Sequence, residues 1–475
     1  MFKKWKKALT LTAVSFVLAL CLFGQSSVVG KAGILGAMVL GTKVLFLQSK
    51  TQWLTYGCFC GYIAIFAIAE RWYSEYWLQR ASNCFWIYLL VGMGTLAYLL
   101  GYPASTEPPG ALTLVTGVVF GNAVAAWLRY QRMPSKEDYH HLFLLSILAL
   151  LLLASMPGHI SHIQAFTYHG QSRWSGPWNS PNIYGLLMAT GTVLATGGVV
   201  SSLGCQITGN SNVVICKTDF KRWGMAFLCL AAASIMCCGL LHSYSRGAWL
   251  AMLCGAACLL WLNIQSPKPK VQSYWVSRLS KNWLPISVIL TSMLVLSFWH
   301  SRQTEWPPVR RVLSIVNTVD FSWQNRLAAW KGALQMMAEH PGFGAGWNQP
   351  EAVYEHYYLL PKLTESAAIE MNDYLMLGAT LGIPALFCFG MYLWLSLTGK
   401  AESKSPDLKS NPILSNSNPP SVTCRAGAIV LLVGFWFDGG LFKLPTATIF
   451  WILLELGNAR NHEIHEPHKI NPGSK

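Results

Sequence analysis

Apolar runs of membrane-crossing length with few or no charges recur along the whole chain, and no other feature restricts its fold so tightly. They lie near 8–24, 29–48, 52–69, 84–101, 110–128, 140–156, 182–203, 223–241, 247–264, 283–299, 373–398, 424–440 and 443–457. Most approach the roughly 20 residues that a helix needs to cross the hydrocarbon core. The strict apolar–polar alternation of barrel strands is missing, and backbone groups in lipid must be satisfied within each segment. The expected class is therefore all-α, a polytopic helical membrane protein. Composition agrees: 12% of positions are charged and 53% hydrophobic, against about 25% charged in an ordinary soluble domain.

Basic residues in short links set the orientation. Arg129, Arg132 and Lys136, then Lys217, Lys221 and Arg222, then Lys268, Lys270, Arg278 and Lys281, then Lys400, Lys404, Lys409 and Arg425 mark alternate links as cytoplasmic. The opening "MFKKWKK" also belongs inside, which thirteen spans forbid and about twelve allow. Either one of the first three apolar runs is not a crossing, the preferred reading, or the two short C-terminal runs do not both cross; residues 1–25 read as an uncleaved first helix rather than a removed secretory signal. The expected layout is N-terminal transmembrane helices over 1–156, a core over 157–399 with a long outward loop at 300–371, a Ser/Pro/Asn-rich cytoplasmic linker over 400–423, and a C-terminal transmembrane hairpin and tail over 424–475.

The net charge of +15 does not call for nucleic acid. Inner loops hold much of the excess, where the topology rule and anionic membrane lipid account for it. The thirteen cysteines sit mostly inside apolar runs such as "CFCGY" and "IMCCGLL", without metal-ligand spacing, and read as buried thiols.

Four outward segments gather the polar groups. In "HSYSRGAW" (242–249), Arg246 opens a helix after almost no loop. An arginine at that depth either anchors in the headgroups or faces a wet cavity or a partner. In "NRLAAWKGALQMMAEHPGFGAGWN" (325–348), Arg326 begins a helix expected over 325–339, capped by Asp320, Ser322 or Asn325 and stopped at His340-Pro341-Gly342. Leu327, Ala328, Trp330, Leu334, Met336 and Met337 give it a wide apolar face, suited to lying on the bilayer or on the other spans. The glycine-rich turn that follows is too generic to identify a phosphate cradle. "SHIQAFTYHGQSRWSGPWNSPNIYG" (161–185) supplies Arg173, Trp178 and Asn182, with Pro181 placed to start a helix. In "AAIEMNDYLMLGATLGIPALF", Glu370 and Asp373 are three apart, sharing one face of a first helical turn. They either complement the helix dipole or serve as acid–base groups.

Taken in order, "GPWNSPN", "SYSRGAWLA", the 325–348 stretch and "MNDYLMLGATLGIPAL" resemble the O-antigen ligase and polymerase family, membrane glycosyltransferases that use polyprenyl diphosphate-linked glycans. The likeness spans about 160–395. It implies inverting, metal-independent transfer at the outer leaflet of a bacterial inner membrane, with no cofactor. Arg246 matches the arginine of the family's Ser-Arg-Gly block and Arg326 that of its Arg-x-x-x-Trp block, both implied to hold the diphosphate, with Arg173 near the same charge. Fixed guanidinium forks suit such a leaving group, and the chain has no Asp-x-Asp motif. One position departs from the pattern: where the family carries histidine before the asparagine of the Asn-x-Tyr/Phe-Leu block, this chain has Met371. A thioether cannot act as a base, so Glu370 or Asp373 is the expected replacement. His356, Glu355, Glu365 and His242 follow as weaker substitutes.

The resulting expectation is a ligase or polymerase moving an oligosaccharide from undecaprenyl diphosphate to a hydroxyl on a glycan, lipid or protein. Asn372 orients the acceptor, and Trp178, Asn182, Trp330 and Trp347 contact acceptor or sugar, although interfacial belts also enrich tryptophan. Two rivals stay open. A transporter or flippase for an anionic lipid-linked substrate calls for broken helices, repeat symmetry and charge at mid-membrane depth; only Asp438 and Lys443 stand out there. A binding homologue with altered catalysis is the other, because of Met371.

Overall fold

The computed structural model describes residues 136–161, 165–168, 171–178, 180–203, 220–265, 321–346, 350–359, 366–398 and 419–457, with isolated helical positions between 86 and 118. The runs at 8–24, 29–48, 52–69 and 283–299, the N-terminal basic stretch and Trp347 lie outside the described residues.

Helices dominate. They are α1 (Lys136–Ser161), α2 (Pro181–Leu203), α3 (Phe220–Ser243), α4 (Arg246–Gln265), α5 (Phe321–Glu339), α6 (Pro350–Tyr357), α7 (Asp373–Leu381), α8 (Ile383–Thr398), α9 (Pro419–Phe437) and α10 (Leu444–Gly457). Among the described residues, three stretches are long and apolar enough to cross a membrane: Pro181–Ser202, Trp223–Ser243 and Arg246–Asn263. Shorter apolar helices include Ile383–Leu397, Ser421–Phe437 and Leu444–Gly457. This is the build of an integral membrane protein.

The bundle packs α2 against α3, α4 and α9, with α9 also against α4 and α10. Small residues let the backbones approach, as membrane helices require without a hydrophobic drive between them. A Cβ on Gly255 would meet Val430 at 2.2 Å, and one on Gly434 would meet Leu186 at 2.1 Å. All of α10 is buried, from Leu444 to Gly457, while Phe227, Leu228, Leu253 and Trp261 on α3 and α4 point outward. Cys229, Cys388 and Cys424 are buried free thiols. Arg425, grouped by sequence with the basic links, lies within α9, and its Nε donates to the Gly457 carbonyl at 2.5 Å. That helix starts at Pro419, inside the stretch expected as linker.

Three further features depart from expectation. Ala165–Tyr168 and Gln171–Trp174 form an antiparallel hairpin, β1–β2, in register Ala165 with Trp174 and Phe166 with Arg173. "AFTY" favours extended backbone, and the two strands are separated by only two residues, a hairpin-compatible spacing. The expected helix at 325–339 begins earlier, at Phe321, and its buried side is small: Asn325, Ala329, Gly332, Ala333, Met336 and Met337, with Leu327 and Leu334 exposed. Tyr354 of α6 seats against Gly332, where a Cβ would lie 2.5 Å from its ring. A second small core of Ala329, Ala333, Met336, Met337, Tyr354, Ala368, Ile369 and Ala379 joins α5 and α6 to the segment before α7.

The run 373–398 is not one continuous helix. It breaks at Gly382, whose φ of 87° is a left-handed value open to glycine. The turn after α5 seals the break: Ala345 N–H donates to Ala379 O at 2.8 Å, Gly346 N–H to Thr380 O at 3.2 Å, and Ile383 N–H to Pro341 O at 3.0 Å. The glycine-rich stretch is thus a clasp on the helix break, satisfying the carbonyls that a helix end leaves unpaired.

Candidate functional site

Tight local geometry places Arg246. The chain leaves α3 through Tyr244, held in the left-handed region at φ 51°, and Ser245 caps α4 by accepting the Ala248 N–H at 3.2 Å. Such strain in a non-glycine residue persists only where the surroundings fix it. Here Ser243 Oγ accepts the Ser245 N–H at 3.2 Å, and Trp249 Nε1 donates to Leu240 O at 3.1 Å. Arg246 follows immediately, half-buried at the first position of α4.

Arg173 braces the same corner. Its Nε donates to the Ser243 carbonyl at 2.8 Å and its Nη2 to Asn182 Oδ1 at 3.1 Å, which ties β2, the end of α3 and the start of α2 together. An arginine on a terminal helix carbonyl also complements the negative end of the helix dipole. His242 stacks on Trp174 with ring centroids 4.4 Å apart.

The second arginine block meets this corner at one carboxylate. Ser245 Oγ donates to Asp438 Oδ2, and Arg326 Nη2 lies 3.3 Å from Asp438 Oδ1. Arg326 Nη1 donates to the neighbouring Phe437 carbonyl. The Asp438 side chain is 1% exposed and that of Arg326 14%. Gly247 is flush with them, since a Cβ there would come within 2.6 Å of Asp438 Oδ2. The residues flanking Arg246 and the guanidinium of Arg326 therefore gather around the same acid.

The turn that carries Asp438 also holds the third block. Gly439 (φ 67°) sits against the Glu370 carbonyl, where a Cβ would lie at 2.4 Å. Leu441 N–H donates to Asp373 Oδ2 at 2.7 Å, and Lys443 Nζ donates to Glu370 Oε2 at 2.9 Å. The two candidate bases sit in different surroundings. Asp373 is buried and clasps a backbone amide; Glu370 stays 36% exposed in its side chain. Asn372 caps α7 by accepting the Leu375 N–H at 3.0 Å, while its buried Nδ2 has no hydrogen-bond partner. Met371 is half-buried between them.

The aromatic contacts fare differently. Trp178 is 7% exposed and packs toward Tyr184 with centroids 6.3 Å apart, among the buried core residues. Asn182 spends its Oδ1 on Arg173. Trp330 stands half-buried between Trp323 and Trp436, at 5.7 and 5.9 Å, one helical turn after Arg326. Glu355 and His356 are exposed on α6, and Glu365 lies outside the described residues.

Asp438, Ser245 and Lys443 are the residues that sequence reasoning did not assign to this cluster. The available signal was a carboxylate and an ammonium bracketing "DGGLFK" between two apolar helices, a costly placement unless paired.

The family model described as O-Antigen ligase matches residues 231–390, from within α3 to within α8, a range that includes Arg246, Arg326, Glu370, Asn372 and Asp373. A search of curated proteins finds no match.

Proposed function

We propose, with the O-antigen ligase match over residues 231–390 as premise, that the chain is a glycan ligase or polymerase. It moves an oligosaccharide from a polyprenyl diphosphate, undecaprenyl diphosphate in a bacterium, to a hydroxyl of a glycan, lipid or protein acceptor. The reaction takes place at the outer leaflet of the inner membrane, with inversion and without a metal. The observation that carries this reading is the meeting of Arg326 and the Ser245-Arg246-Gly247 corner on Asp438.

The acceptor oxygen attacks the anomeric carbon from the side opposite the diphosphate. The bond from that carbon to the phosphate oxygen breaks, and its electron pair leaves with the diphosphate. Arg246 and Arg326 offset the charge that builds there, as donors already fixed in place can do without reorganising. The acceptor proton passes to Glu370, the more open of the two carboxylates. Arg173 braces the α3–α4 corner from its two hydrogen bonds and adds positive charge beside the anion. Asp373 and the Asn372 cap hold the segment on which Glu370 rides.

Met371 favours a second reading, a homologue that binds the lipid-linked glycan without transferring it. The transporter reading gains a broken helix at Gly382, but its carbonyls are occupied by Ala345 and Gly346 rather than left to line a substrate path.

The test begins with cells lacking the chain, in which a lipid-linked glycan accumulates and can be identified. Restoring the wild-type chain clears it. Arg246→Ala and Arg326→Ala, expressed at the same level, leave it in place. Full clearance by both variants would refute the diphosphate site. Binding of the glycolipid without clearance by the wild type would establish the binding homologue instead.

A further inference from the structure

We infer that Lys443 is a positioning residue that presents Glu370 to the acceptor, the two side chains jointly filling the place where the O-antigen ligase pattern has a histidine. This rests on the transfer reaction proposed above. The geometry is direct: Nζ of Lys443 lies 2.9 Å from Oε2 of Glu370, beside Met371, with the two side chains 40% and 36% exposed.

Helix stability does not explain a lysine there. Lys443 directly precedes α10, whose first turn contains no acidic residue, so its charge faces the positive end of the helix dipole. A half-exposed ion pair returns little stability. Such breaches of local preference concentrate where a side chain serves function.

The turn fixes the Lys443 backbone from both sides. Lys443 N–H donates to Gly440 O at 3.2 Å, its carbonyl accepts the Ala447 N–H at 2.9 Å and the Thr446 hydroxyl at 3.1 Å, and Gly439 abuts the Glu370 carbonyl. Leu441 anchors the same turn on Asp373. Lys443 thus takes Oε2, and Oε1 is the oxygen assigned to the acceptor proton, the arrangement of a base oriented by a third group. As the acceptor oxygen bonds to the anomeric carbon and the diphosphate departs with the electron pair, the hydroxyl proton moves to Oε1. Lys443 keeps its protons throughout, and the glutamic acid returns its proton to water.

The experiment uses full-length chain in membranes, with the glycolipid fraction extracted from cells lacking it as donor and membranes of those cells as acceptor. Lys443→Met lowers kcat on the order of tenfold, part of what a general base contributes, with the donor KM unchanged; Lys443→Arg restores most of the rate. The exchange Glu370→Lys with Lys443→Glu rebuilds the ion pair and its melting temperature yet stays inactive. Wild-type kcat in Lys443→Met, or recovery of activity in the exchange, would overturn the inference. If Glu370→Gln is inactive while Lys443→Met is unimpaired, the inference fails alone. Unaltered transfer in Arg246→Ala and Arg326→Ala would instead defeat the reaction on which it rests.

Discussion

Arg326 Nη2 and Asp438 Oδ1 lie 3.3 Å apart although 112 residues separate them in the chain. The carboxylate is buried, and Ser245 occupies its other oxygen. Removing one partner of a buried pair leaves the other charge uncompensated, at a cost of roughly 3–5 kcal/mol. Asp438→Ala should therefore destabilise the protein by about 3 kcal/mol, read from denaturant unfolding in detergent. Asp438→Asn, which keeps an acceptor for Ser245, should fall between. Indistinguishable midpoints for Asp438→Ala and wild type would mean that this acid does not hold the corner together.

The arginines are read by rate, with Arg326→Ala, which also unpairs the buried Asp438, compared at equal amounts of folded protein. Arg246→Ala and Arg326→Ala should each slow transfer by about 10²–10³-fold, the scale set by loss of one donor to a developing anion. Lysine at either position should restore only part of the rate, because an ammonium lacks the bidentate fork. Equal rates for Lys and Arg variants would argue that a point charge suffices.

Glu370→Gln and Asp373→Ala should fail in different ways. The first removes the accessible carboxylate and should abolish turnover with donor binding intact. The second leaves the buried Leu441 N–H without its acceptor, at about 1–3 kcal/mol, and should lower the unfolding midpoint before it touches chemistry. Reversal of this pattern would make Asp373 the base.

The clasp on the broken helix is tested by two neighbouring glycines. Gly344 has φ 67°, and a Cβ there would lie 2.3 Å from the Thr380 carbonyl carbon, whereas Gly342 has nothing within 4 Å. Gly344→Ala should cost more than about 2 kcal/mol, from left-handed strain with a backbone clash. Gly342→Ala should stay within about 0.5 kcal/mol. Similar melting of the two variants would count against the sealed break.

The three long spans could be read from sequence because each is a continuous apolar run, and hydropathy needs no knowledge of partners. Arg246 and Arg326 were equally visible, since a charge beside apolar helices stands out. The break at Gly382 was hidden inside "LGATLGIPALF" because the amide groups that satisfy it come from Ala345 and Gly346 in a distant loop. Asp438 was legible as an anomaly but not as a member of the cluster, since its bond to Ser245 crosses 193 residues. Small-residue packing misled the reading of α5, whose buried side is alanine, glycine and methionine rather than leucine. The hairpin β1–β2 escaped because two four-residue strands give too short a pattern to register.

The acid of Arg326, the amide that holds Asp373 and the cation beside Glu370 all belong to the six residues from Asp438 to Lys443. The ribosome makes these residues after every other part of the cluster. Until they emerge and insert, a nascent chain carries Arg326 without its counter-ion. The pairing of Arg326 and the anchoring of Asp373 and Glu370 therefore wait on this one turn.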